Sequence, residues 1–347
     1  MIQQGTTSRQ PEMDAVGLGL IGLGRHGMRY ATHLLEGIPY GRLVAVCRRT
    51  ASQGLAFAQA HGLRFYQDYR ELLADPAVHA AIVVVPPELT VAIALEAIRY
   101  RKPLLIEKPL AAVSGNARRI VEATTQAHLP IMTAHTLRYE AAIQALKHSG
   151  ASVGPWQYIV CSNRLERPSS LSGLQGGHQG SPYGTLLEIG VHQLDFVRFL
   201  TGDEVRDVFC ELDRTESEQR AWVHLTMHQG LPCLLDISRL SASRVTRAEI
   251  IGESGQLVAD WTTRTLLHIS ADRSRREERF LPHPTLPRVI SAFLEALRTR
   301  SSMPVSGLDG LRAVELAEAC YQSARTGQRI QLEGPSEGLS EGTGGRV

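Results

Sequence analysis

Short runs of consecutive apolar residues alternate with amphipathic segments over the first part of the chain. The runs are AVGLGLIG, LVAVC, AAIVVV, PLLIE and PIMTA, and segments such as ELTVAIALEAIRY lie between them. An uninterrupted apolar run predicts a strand that is buried on both faces, as in a parallel sheet. The alternation predicts βαβ units, so we expect an α/β fold that begins with a doubly wound parallel sheet.

The pattern changes after Gly154. The segments QYIVCSNRL, RDVFCEL, AWVHLTMH and CLLDISRL follow closely on one another, which predicts a second domain with a mostly antiparallel sheet. A Gly/Ser-rich loop from Arg167 to Gly184 interrupts this domain, and a loop of that length is either functional or disordered. The expected division is a flexible N-terminus over 1–14, a first domain over 15–140, a second over 141–332 and a disordered tail over 333–347.

Composition and charge exclude several classes of protein. The chain has 347 residues, 43% of them hydrophobic and 21% charged, with a net charge of +2, so no nucleic-acid or membrane partner is expected. No apolar run approaches the roughly 18 residues of a membrane span, and the polar N-terminus gives no reason to expect export. The 5 cysteines are far apart, which indicates a cytoplasmic protein with reduced thiols rather than a zinc site or a disulfide framework.

The first apolar run ends in two overlapping copies of the spacing G-x-G-x-x-G, which can hold the pyrophosphate of a dinucleotide. Gly17, Gly19 and Gly22 form one copy, and Gly22, Gly24 and Gly27 form the other. The second copy follows a full apolar run and opens the helix-like segment RHGMRYATHLLEG, so we assign it to the loop and place the first inside the strand. The residues assigned to the cofactor here are Gly22, Leu23, Gly24, Arg25, His26 and Gly27.

The end of the next strand bears on the choice between NAD and NADP. An acidic residue at this place binds the ribose 2′-hydroxyl of NAD, whereas arginine favours the 2′-phosphate of NADP. The strand ends VAVCRRT, with Arg48 and Arg49 and no carboxylate. Because arginine forms bidentate contacts with phosphate, we predict NADP, with NAD as the alternative if both arginines are solvated surface charges.

Two further groups of residues carry candidate chemistry. LLIEKPLA places Glu107 and Lys108 at the carboxyl end of a strand, where open α/β sheets bind ligands, although a lone lysine there is often a solvated charge. GTLLEIGVHQLDFVRFL is apolar nearly all round except at Glu188, His192 and Asp195, whose spacing of i, i+4 and i+7 predicts one shared face. Ionisable groups on a buried helix are costly unless they are paired or functional. A structural hydrogen-bonded cluster stays the alternative, and no further ligand pattern supports a metal site.

The glycine loop, E-K-P and LLEIGVHQLDFVRFL together closely resemble the glucose–fructose oxidoreductase/inositol dehydrogenase/MocA (Gfo/Idh/MocA) family, over most of the chain. The resemblance implies an NAD(P)-binding Rossmann domain and then a substrate and oligomerisation domain with an open, mostly antiparallel sheet, in a homodimer or homotetramer. It implies oxidation or reduction of a sugar, cyclitol or related polyol. It also implies that Lys108 reaches substrate and nicotinamide, that the Lys108–Pro109 peptide is cis, and that His192 is catalytic between two acidic positions.

The resemblance assigns further residues and shows two departures. Pro86 and Glu107 are assigned to the cofactor on this basis. Glu188 stands where the family usually has Asp, and Pro87 and Thr90 stand where it often has a Pro-Asn turn followed by histidine. For Arg138 the alternative to substrate contact is a structural salt bridge, and for Tyr183 the alternative is a packed aromatic ring. The residues assigned near the substrate are Asp195, Arg138, Tyr139, Tyr183 and, more loosely, His135.

These observations predict an NADP-preferring oxidoreductase that acts on a sugar-like alcohol or its carbonyl form. His192 is expected to exchange the hydroxyl proton as general base or acid, with a pKa near neutrality. Lys108 is expected to stabilise negative charge on the same oxygen, while Glu188 or Asp195 orients the imidazole. Two alternatives remain: a dinucleotide-binding regulator without catalysis, and a reductase of a non-sugar carbonyl or imine.

Overall fold

The computed structural model of the protein describes residues 15–167, 183–213 and 218–332. The expected N-terminal segment 1–14, most of the Arg167–Gly184 loop and the expected tail 333–347 lie outside the described residues. The described chain contains a sheet of 6 strands and a sheet of 9 strands, both covered by helices. The predicted α/β fold class is confirmed.

The first sheet is parallel throughout. Its strands in chain order are β1 (Val16–Ile21), β2 (Gly41–Cys47), β3 (Arg64–Tyr66), β4 (Ala80–Val83), β5 (Leu104–Glu107) and β6 (Ile131–Ala134). They lie in the order β3-β2-β1-β4-β5-β6, so the direction of winding reverses between β1 and β4. This is the predicted doubly wound sheet, and ligands of such sheets bind at the carboxyl ends of the strands beside that reversal.

Helices cover both faces of the parallel sheet. Apolar clusters fill the space on each face, which explains why β4, β5 and β6 bury every residue. The helices of this part of the chain are α1 (Arg25–Glu36), α2 (Ala51–Ala60), α3 (Tyr69–Ala74), α4 (Thr90–Arg99) and α5 (Ser114–Gln126).

The second sheet is antiparallel except for one pair of strands. Its strands are β7 (Trp156–Glu166), β8 (Val205–Leu212), β9 (Arg220–Met227), β10 (Pro232–Ser241), β11 (Val245–Gly252), β12 (Gly255–Asp260), β13 (Thr265–Ser270), β14 (Arg275–Arg279) and β15 (Ile330–Gln331). The order is β14-β13-β12-β11-β7-β10-β9-β8-β15, and β7 runs parallel to β10. The predicted mostly antiparallel sheet is therefore confirmed.

Helices cover one face of the second sheet and leave the other open. The helices in this half of the chain are α6 (Ala141–Ser149), α7 (Val191–Thr201), α8 (Thr285–Thr299) and α9 (Gly307–Thr326). Residues of α6, α7 and α9 join the inner sheet face in one apolar core, whereas Tyr158, Trp222 and Leu234 on the other face are exposed. In contrast, Phe293 and Leu294 of α8 pack into an apolar cluster of the parallel sheet. Helix α9 contributes buried residues both to the core of the second sheet and to a cluster of the parallel sheet, so it connects the two sheets.

Candidate active site

The glycine loop between β1 and α1 forms an open anion site. Gly22 has a φ of +100°, and a Cβ there would lie 2.0 Å from the carbonyl oxygen of Val84. A Cβ at Gly27 would lie 1.8 Å from the carbonyl oxygen of Gly22. A Cβ at Gly24, in contrast, would meet nothing within 4 Å, and no side chain caps the N-terminus of α1 that follows. Backbone N–H groups of α1 thus face open space, an arrangement that fits the pyrophosphate of a dinucleotide.

The other two glycines of the overlapping motif lie inside β1, as predicted. A Cβ at Gly17 would lie 2.1 Å from the carbonyl oxygen of Ala77, and one at Gly19 would lie 2.5 Å from the side chain of Leu72. Both glycines therefore allow close packing between β1 and the chain around α3. The second copy of the motif alone forms the loop.

Arg48 and Arg49 follow β2 and lie beside the glycine loop. The Arg48 guanidinium donates a hydrogen bond of 2.7 Å to the carbonyl oxygen of Leu23, whereas the Arg49 side chain is exposed. Arg48 therefore braces the loop, and Arg49 is the arginine with its guanidinium open to a ligand.

The buried Glu107 carboxylate connects the cofactor loop to the E-K-P segment. Its Oε1 accepts a hydrogen bond of 2.6 Å from the Tyr30 hydroxyl and lies 2.8 Å from Nε2 of His26. Its Oε2 accepts a hydrogen bond of 3.0 Å from the backbone N–H of Lys108. Burial raises the pKa of Glu107, but these hydrogen bonds and the charges of His26 and Lys108 outweigh it and hold the pKa below its usual value. Both carboxylate oxygens therefore have partners within the protein, and direct contact of Glu107 with the cofactor stays a prediction.

Lys108 joins the two domains at the carboxyl end of β5. Its peptide bond to Pro109 is cis, as the family resemblance implies. Its ammonium donates a hydrogen bond of 2.7 Å to the carbonyl oxygen of Glu188. Burial lowers the pKa of Lys108; the Glu107 and Glu188 carboxylates oppose this shift, and the Arg239 guanidinium adds to it. A desolvated cation in this place is suited to stabilise negative charge on a substrate oxygen.

His192 lies in the first turn of α7. Its Nδ1 is buried without a hydrogen-bond partner among the described residues, while the residue as a whole is partly exposed. Burial lowers the pKa of His192 well below 6.5, and the charges of Lys108, His135 and His26 lower it further. The expected pKa near neutrality is therefore wrong, because the ring is desolvated among cationic groups. The neutral imidazole is the form present at neutral pH.

The two acidic residues of the motif do not hydrogen-bond to His192. A carboxylate oxygen of Glu188 lies 2.6 Å from Nη2 of Arg239, and Asp195 accepts two hydrogen bonds of 2.6 and 2.8 Å from Arg138. The prediction that one of them orients the imidazole is wrong in this structure, because a guanidinium within reach is the stronger donor. Glu188 also lies in a π turn over Leu186–Gly190, which interrupts the regular helical spacing on which a shared face depends.

Asp195 and Arg138 are assigned to the substrate by the resemblance, but they form a buried salt bridge. Asp195 is 0% exposed and Arg138 is 8% exposed, and Arg138 also donates a hydrogen bond of 2.9 Å to Asp309. Direct contact of either side chain with substrate does not fit this arrangement, because their charged groups are buried and already pair with each other. The alternative of a structural salt bridge fits it.

The remaining assigned residues differ in their exposure and partners. The Tyr139 hydroxyl is buried without a partner among the described residues, and burial raises its pKa to about 12. The Tyr183 hydroxyl donates a hydrogen bond to Glu88, in the turn after β4 that also contains the exposed Pro86. Burial raises the pKa of Tyr183 to about 12, and the Glu88 carboxylate adds to the shift. Contacts of Tyr139 and Tyr183 with substrate, and of Pro86 with cofactor, stay predictions.

Arg239 is the site residue that the sequence analysis missed. On β10 the inward-facing residues Leu235 and Ile237 are buried, and Arg239 is the next residue in that alternation. A charged residue that continues the apolar face of a strand is a recognisable signal. It indicates the point where the core gives way to a polar cleft.

The described residues also bear on metal and membrane sites. In residues 15–167, 183–213 and 218–332, no group of three or more His, Cys, Asp or Glu side chains is placed to hold a metal ion. No helix in that part of the chain is long and apolar enough to cross a membrane. All 5 cysteines are described, and they are buried and free.

Two family models match the chain. One is described as an oxidoreductase family with an NAD-binding Rossmann fold and matches residues 16–135. The other is described as the C-terminal alpha/beta domain of an oxidoreductase family and matches residues 175–332. The two matches cover the parallel sheet and all of the second sheet except β7, and they include the glycine loop, Lys108 and His192.

Individual relatives match this chain along most of their length. Myo-inositol 2-dehydrogenase of Thermotoga maritima is 26% identical over 335 residues, which are 91% of this chain and 98% of the relative. A 1,5-anhydro-D-fructose reductase of Ensifer adhaerens is 25% identical over 305 residues, covering 84% of this chain and 92% of the relative. A crystal structure of an oxidoreductase from Agrobacterium radiobacter in complex with NAD+, L-tartaric acid and magnesium has a TM-score of 0.82 at 20% identity, covering 91% and 98% of the two chains. This last likeness shows the fold.

Proposed function

This chain belongs to the Gfo/Idh/MocA family of NAD(P)-dependent oxidoreductases, and we propose that it prefers NADP and acts on a sugar, cyclitol or related polyol. The reaction is hydride transfer between the nicotinamide and a carbinol or carbonyl carbon of that substrate. Relatives named as an inositol dehydrogenase and an anhydrofructose reductase support this substrate class.

The observation that carries the proposal is the meeting of Lys108 with the segment that bears His192. The Lys108 ammonium donates its 2.7 Å hydrogen bond to Glu188, four positions before His192 on the same segment. Lys108 also lies directly after the residue that is hydrogen-bonded to the cofactor loop. A cation and a neutral imidazole from two domains therefore border one cleft at the edge where open α/β sheets bind ligands.

The chain's own residues perform the proton and charge steps of the proposed reaction. Nε2 of His192 accepts the hydroxyl proton during oxidation, and the depressed pKa keeps this nitrogen free at neutral pH. Lys108 donates a hydrogen bond to the same oxygen as negative charge develops on it. When bound, the nicotinamide supplies the acceptor or donor of the hydride. In the reductive direction protonated His192 returns the proton, and its low pKa makes it a strong acid for that step.

The preference for NADP rests on the arginines after β2. Arg49 is exposed next to the glycine loop, and no carboxylate follows the strand in the sequence VAVCRRT. A 2′-phosphate would accept charge-assisted hydrogen bonds from such a guanidinium. Dissociation constants of NADP and NAD for the unmodified protein test this part of the proposal, and equal values would contradict it.

The proposal includes assembly into a homodimer or homotetramer and a cytoplasmic location. Tyr158, Trp222 and Leu234 are 40%, 43% and 37% exposed on the open face of the second sheet. A second copy of the same sheet would cover these large apolar side chains symmetrically. The buried, free cysteines support a reducing compartment. Light scattering of the unmodified protein and of Trp222→Glu tests the assembly, since a monomer in both cases would contradict it.

Turnover by the purified protein tests the proposed activity. NADP reduction is followed at 340 nm with a panel of polyols and sugars that includes myo-inositol, and NADPH oxidation with the matching keto-sugars. We expect turnover with at least one member, and its loss in Lys108→Ala while NADP still binds. Binding of NADP without turnover of any member would instead favour the non-catalytic regulator.

A further inference from the structure

The Glu188–Arg239 pair adds a cation to the cleft that the family motif does not predict. Arg239 continues the inward-facing row of β10 beyond Leu235 and Ile237. Its Nη2 lies 2.6 Å from Oε1 of Glu188, and the two side chains are 19% and 28% exposed. Lys108 donates to the backbone carbonyl of the same Glu188. Two cationic side chains therefore contact one residue that carries a single negative charge.

The Arg239 guanidinium keeps donors that Glu188 does not use. One oxygen of the Glu188 carboxylate contacts Arg239, whereas Lys108 binds the backbone carbonyl of Glu188 and lies beside the Glu107 carboxylate. Nε of Arg239 is buried without a hydrogen-bond partner among the described residues, so Glu188 does not saturate the guanidinium. A partly desolvated guanidinium with unused donors binds an anionic group more strongly than it would in bulk water.

We infer that the substrate carries a carboxylate and that Arg239 is the residue that binds it, which makes the substrate a sugar acid. This inference rests on the proposed function and names the substrate class of the same site. The planar guanidinium offers parallel N–H donors that match the two oxygens of a carboxylate. A phosphate would bring a third oxygen and a second charge, and the adjacent cation, Lys108, is needed at the reacting oxygen.

The extra methylene of Glu188 allows its carboxylate to contact Arg239. Glu188 stands where the family usually has Asp, and the longer side chain reaches Arg239 rather than His192. Glu188 thus holds the guanidinium in place without substrate, and it competes with the substrate carboxylate for the same donors. Removal of the Glu188 charge and removal of the Arg239 charge are therefore expected to change acid binding in opposite directions.

Three ligands that share one sugar ring test the inference: D-glucose, D-glucuronate and D-glucose 6-phosphate. They differ at the exocyclic carbon, which carries a hydroxyl, is a carboxylate or carries a phosphate. Calorimetric binding is measured with NADP present for the unmodified protein, Arg239→Gln and Glu188→Gln. Arg312→Gln is the matched control, because Arg312 pairs with Glu315 at 2.8 Å, with exposures of 16% and 15%, on α9.

We expect the unmodified protein to bind glucuronate more tightly than either other ligand. Arg239→Gln should weaken glucuronate binding about tenfold or more while glucose binding changes little, since one charge-assisted hydrogen bond is lost. Glu188→Gln should tighten glucuronate binding, and Arg312→Gln should leave the ratio of the two affinities unchanged. If Arg239→Gln fails to fold by its melting curve, the double variant with Glu188→Gln removes both charges and should show the same loss of preference.

Several outcomes would overturn the inference. They are glucuronate binding no tighter than glucose, tighter binding of glucose 6-phosphate, or an equal effect of Arg239→Gln on both sugars. Turnover separates this failure from that of the proposed function. Conversion of neutral sugars but not of sugar acids contradicts the carboxylate alone, whereas no conversion of any sugar with NADP(H) contradicts the proposed activity.

Discussion

Two buried polar clusters meet at α7, and they differ in how their hydrogen bonds are satisfied. In the first, Asp195 is fully buried and accepts two hydrogen bonds from Arg138. Arg138 and Arg198 both contact Asp309, at 2.9 and 3.3 Å, and Arg198 also pairs with Glu204 at 2.6 Å. Every charge in this cluster has an opposite charge beside it. The cluster joins α7, α9 and the turn that follows β6.

The second cluster is a pair of histidines with unsatisfied nitrogens. The rings of His135 and His192 pack edge to face with centroids 6.0 Å apart. Both nitrogens of His135 and Nδ1 of His192 are buried without a hydrogen-bond partner among the described residues. Nδ1 of His135 is 3.8 Å from Asp195, beyond hydrogen-bonding distance. Buried polar atoms without hydrogen-bond partners lower the stability of the folded protein, so their presence here indicates a functional role.

The difference separates residues that build the site from residues that react in it. A fully paired salt-bridge cluster has no donor or acceptor left for substrate, and its removal should act on stability. An imidazole with an open nitrogen is available for proton transfer, and its removal should act on turnover. Substitutions in the two clusters therefore test this distinction.

The largest effect is expected for His192→Asn. Loss of a general base typically lowers the rate by about 10²–10⁴-fold, and the asparagine fills most of the space of the ring. Steady-state kinetics should show this loss in kcat, with cofactor affinity and melting temperature nearly unchanged. A normal kcat would remove His192 from the proton step, and a large loss of stability would place it with the salt-bridge cluster.

Asp195→Asn should act in the opposite way. Breaking a buried ion pair typically destabilises a protein by about 3–5 kcal/mol, and the lower end applies here because Arg138 keeps Asp309. Urea unfolding should show the loss, while kcat measured well below the new melting temperature stays within a few-fold of the unmodified value. A fall in kcat at unchanged stability would restore the substrate contact that the resemblance assigns to Asp195.

Much of the fold follows from the sequence because its signals are local. The apolar runs at β1, β4, β5 and β6 are uninterrupted, whereas a strand at the surface would alternate apolar and polar residues. The glycine spacing predicts the loop between β1 and α1. Two short elements escape this reasoning: β3 (Arg64–Tyr66) contains no fully buried residue, and α3 (Tyr69–Ala74) is too short for a helical period to emerge. Packing against neighbouring elements, rather than local pattern, determines such short segments.

The sequence predicts which residues belong to the candidate site, but it does not predict which residues they pair with. Lys108 and His192 are candidates by their place after a strand and on a buried helix, and the family resemblance assigns their roles. The partners of the carboxylates are not predictable in this way, since Arg138 and Asp195 are 57 positions apart and no local pattern links them. The spacing of residues along a helix shows which side chains lie near each other. It does not show which guanidinium group of another element pairs with them.

The pH dependence of stability should reveal the buried histidines. Burial lowers the pKa of both His135 and His192 below 6.5, the value for an exposed histidine. Below pH 6.5 the unfolded chain therefore binds more protons than the folded one, and the free energy of unfolding falls as pH decreases. Each histidine contributes at most about 1.4 kcal/mol per pH unit. Above that range the contribution is constant, because both states are neutral.

Urea unfolding between pH 7.5 and 5.5 measures this slope. His135→Phe removes one titrating group while it keeps an aromatic ring in the core, so the slope should decrease. The exposed His148 is the control, and His148→Phe should leave the slope unchanged. An unchanged slope in His135→Phe would mean that the folded protein protonates this histidine as easily as the unfolded chain does.

The smallest effect is expected at the two arginines after β2, where the same contrast between paired and open groups recurs. The Arg48 guanidinium donates a hydrogen bond of 2.7 Å to the carbonyl oxygen of Leu23, whereas the Arg49 side chain is exposed. Arg49→Ala should weaken NADP binding by about 1.5 kcal/mol, roughly tenfold, and leave NAD binding unchanged, since only NADP has the phosphate. Arg48→Ala should weaken both cofactors similarly, because it loosens the loop that both would use. Fluorescence titrations with the two reduced cofactors measure this, and an equal effect of Arg49→Ala on both would show that its guanidinium is a solvated surface charge.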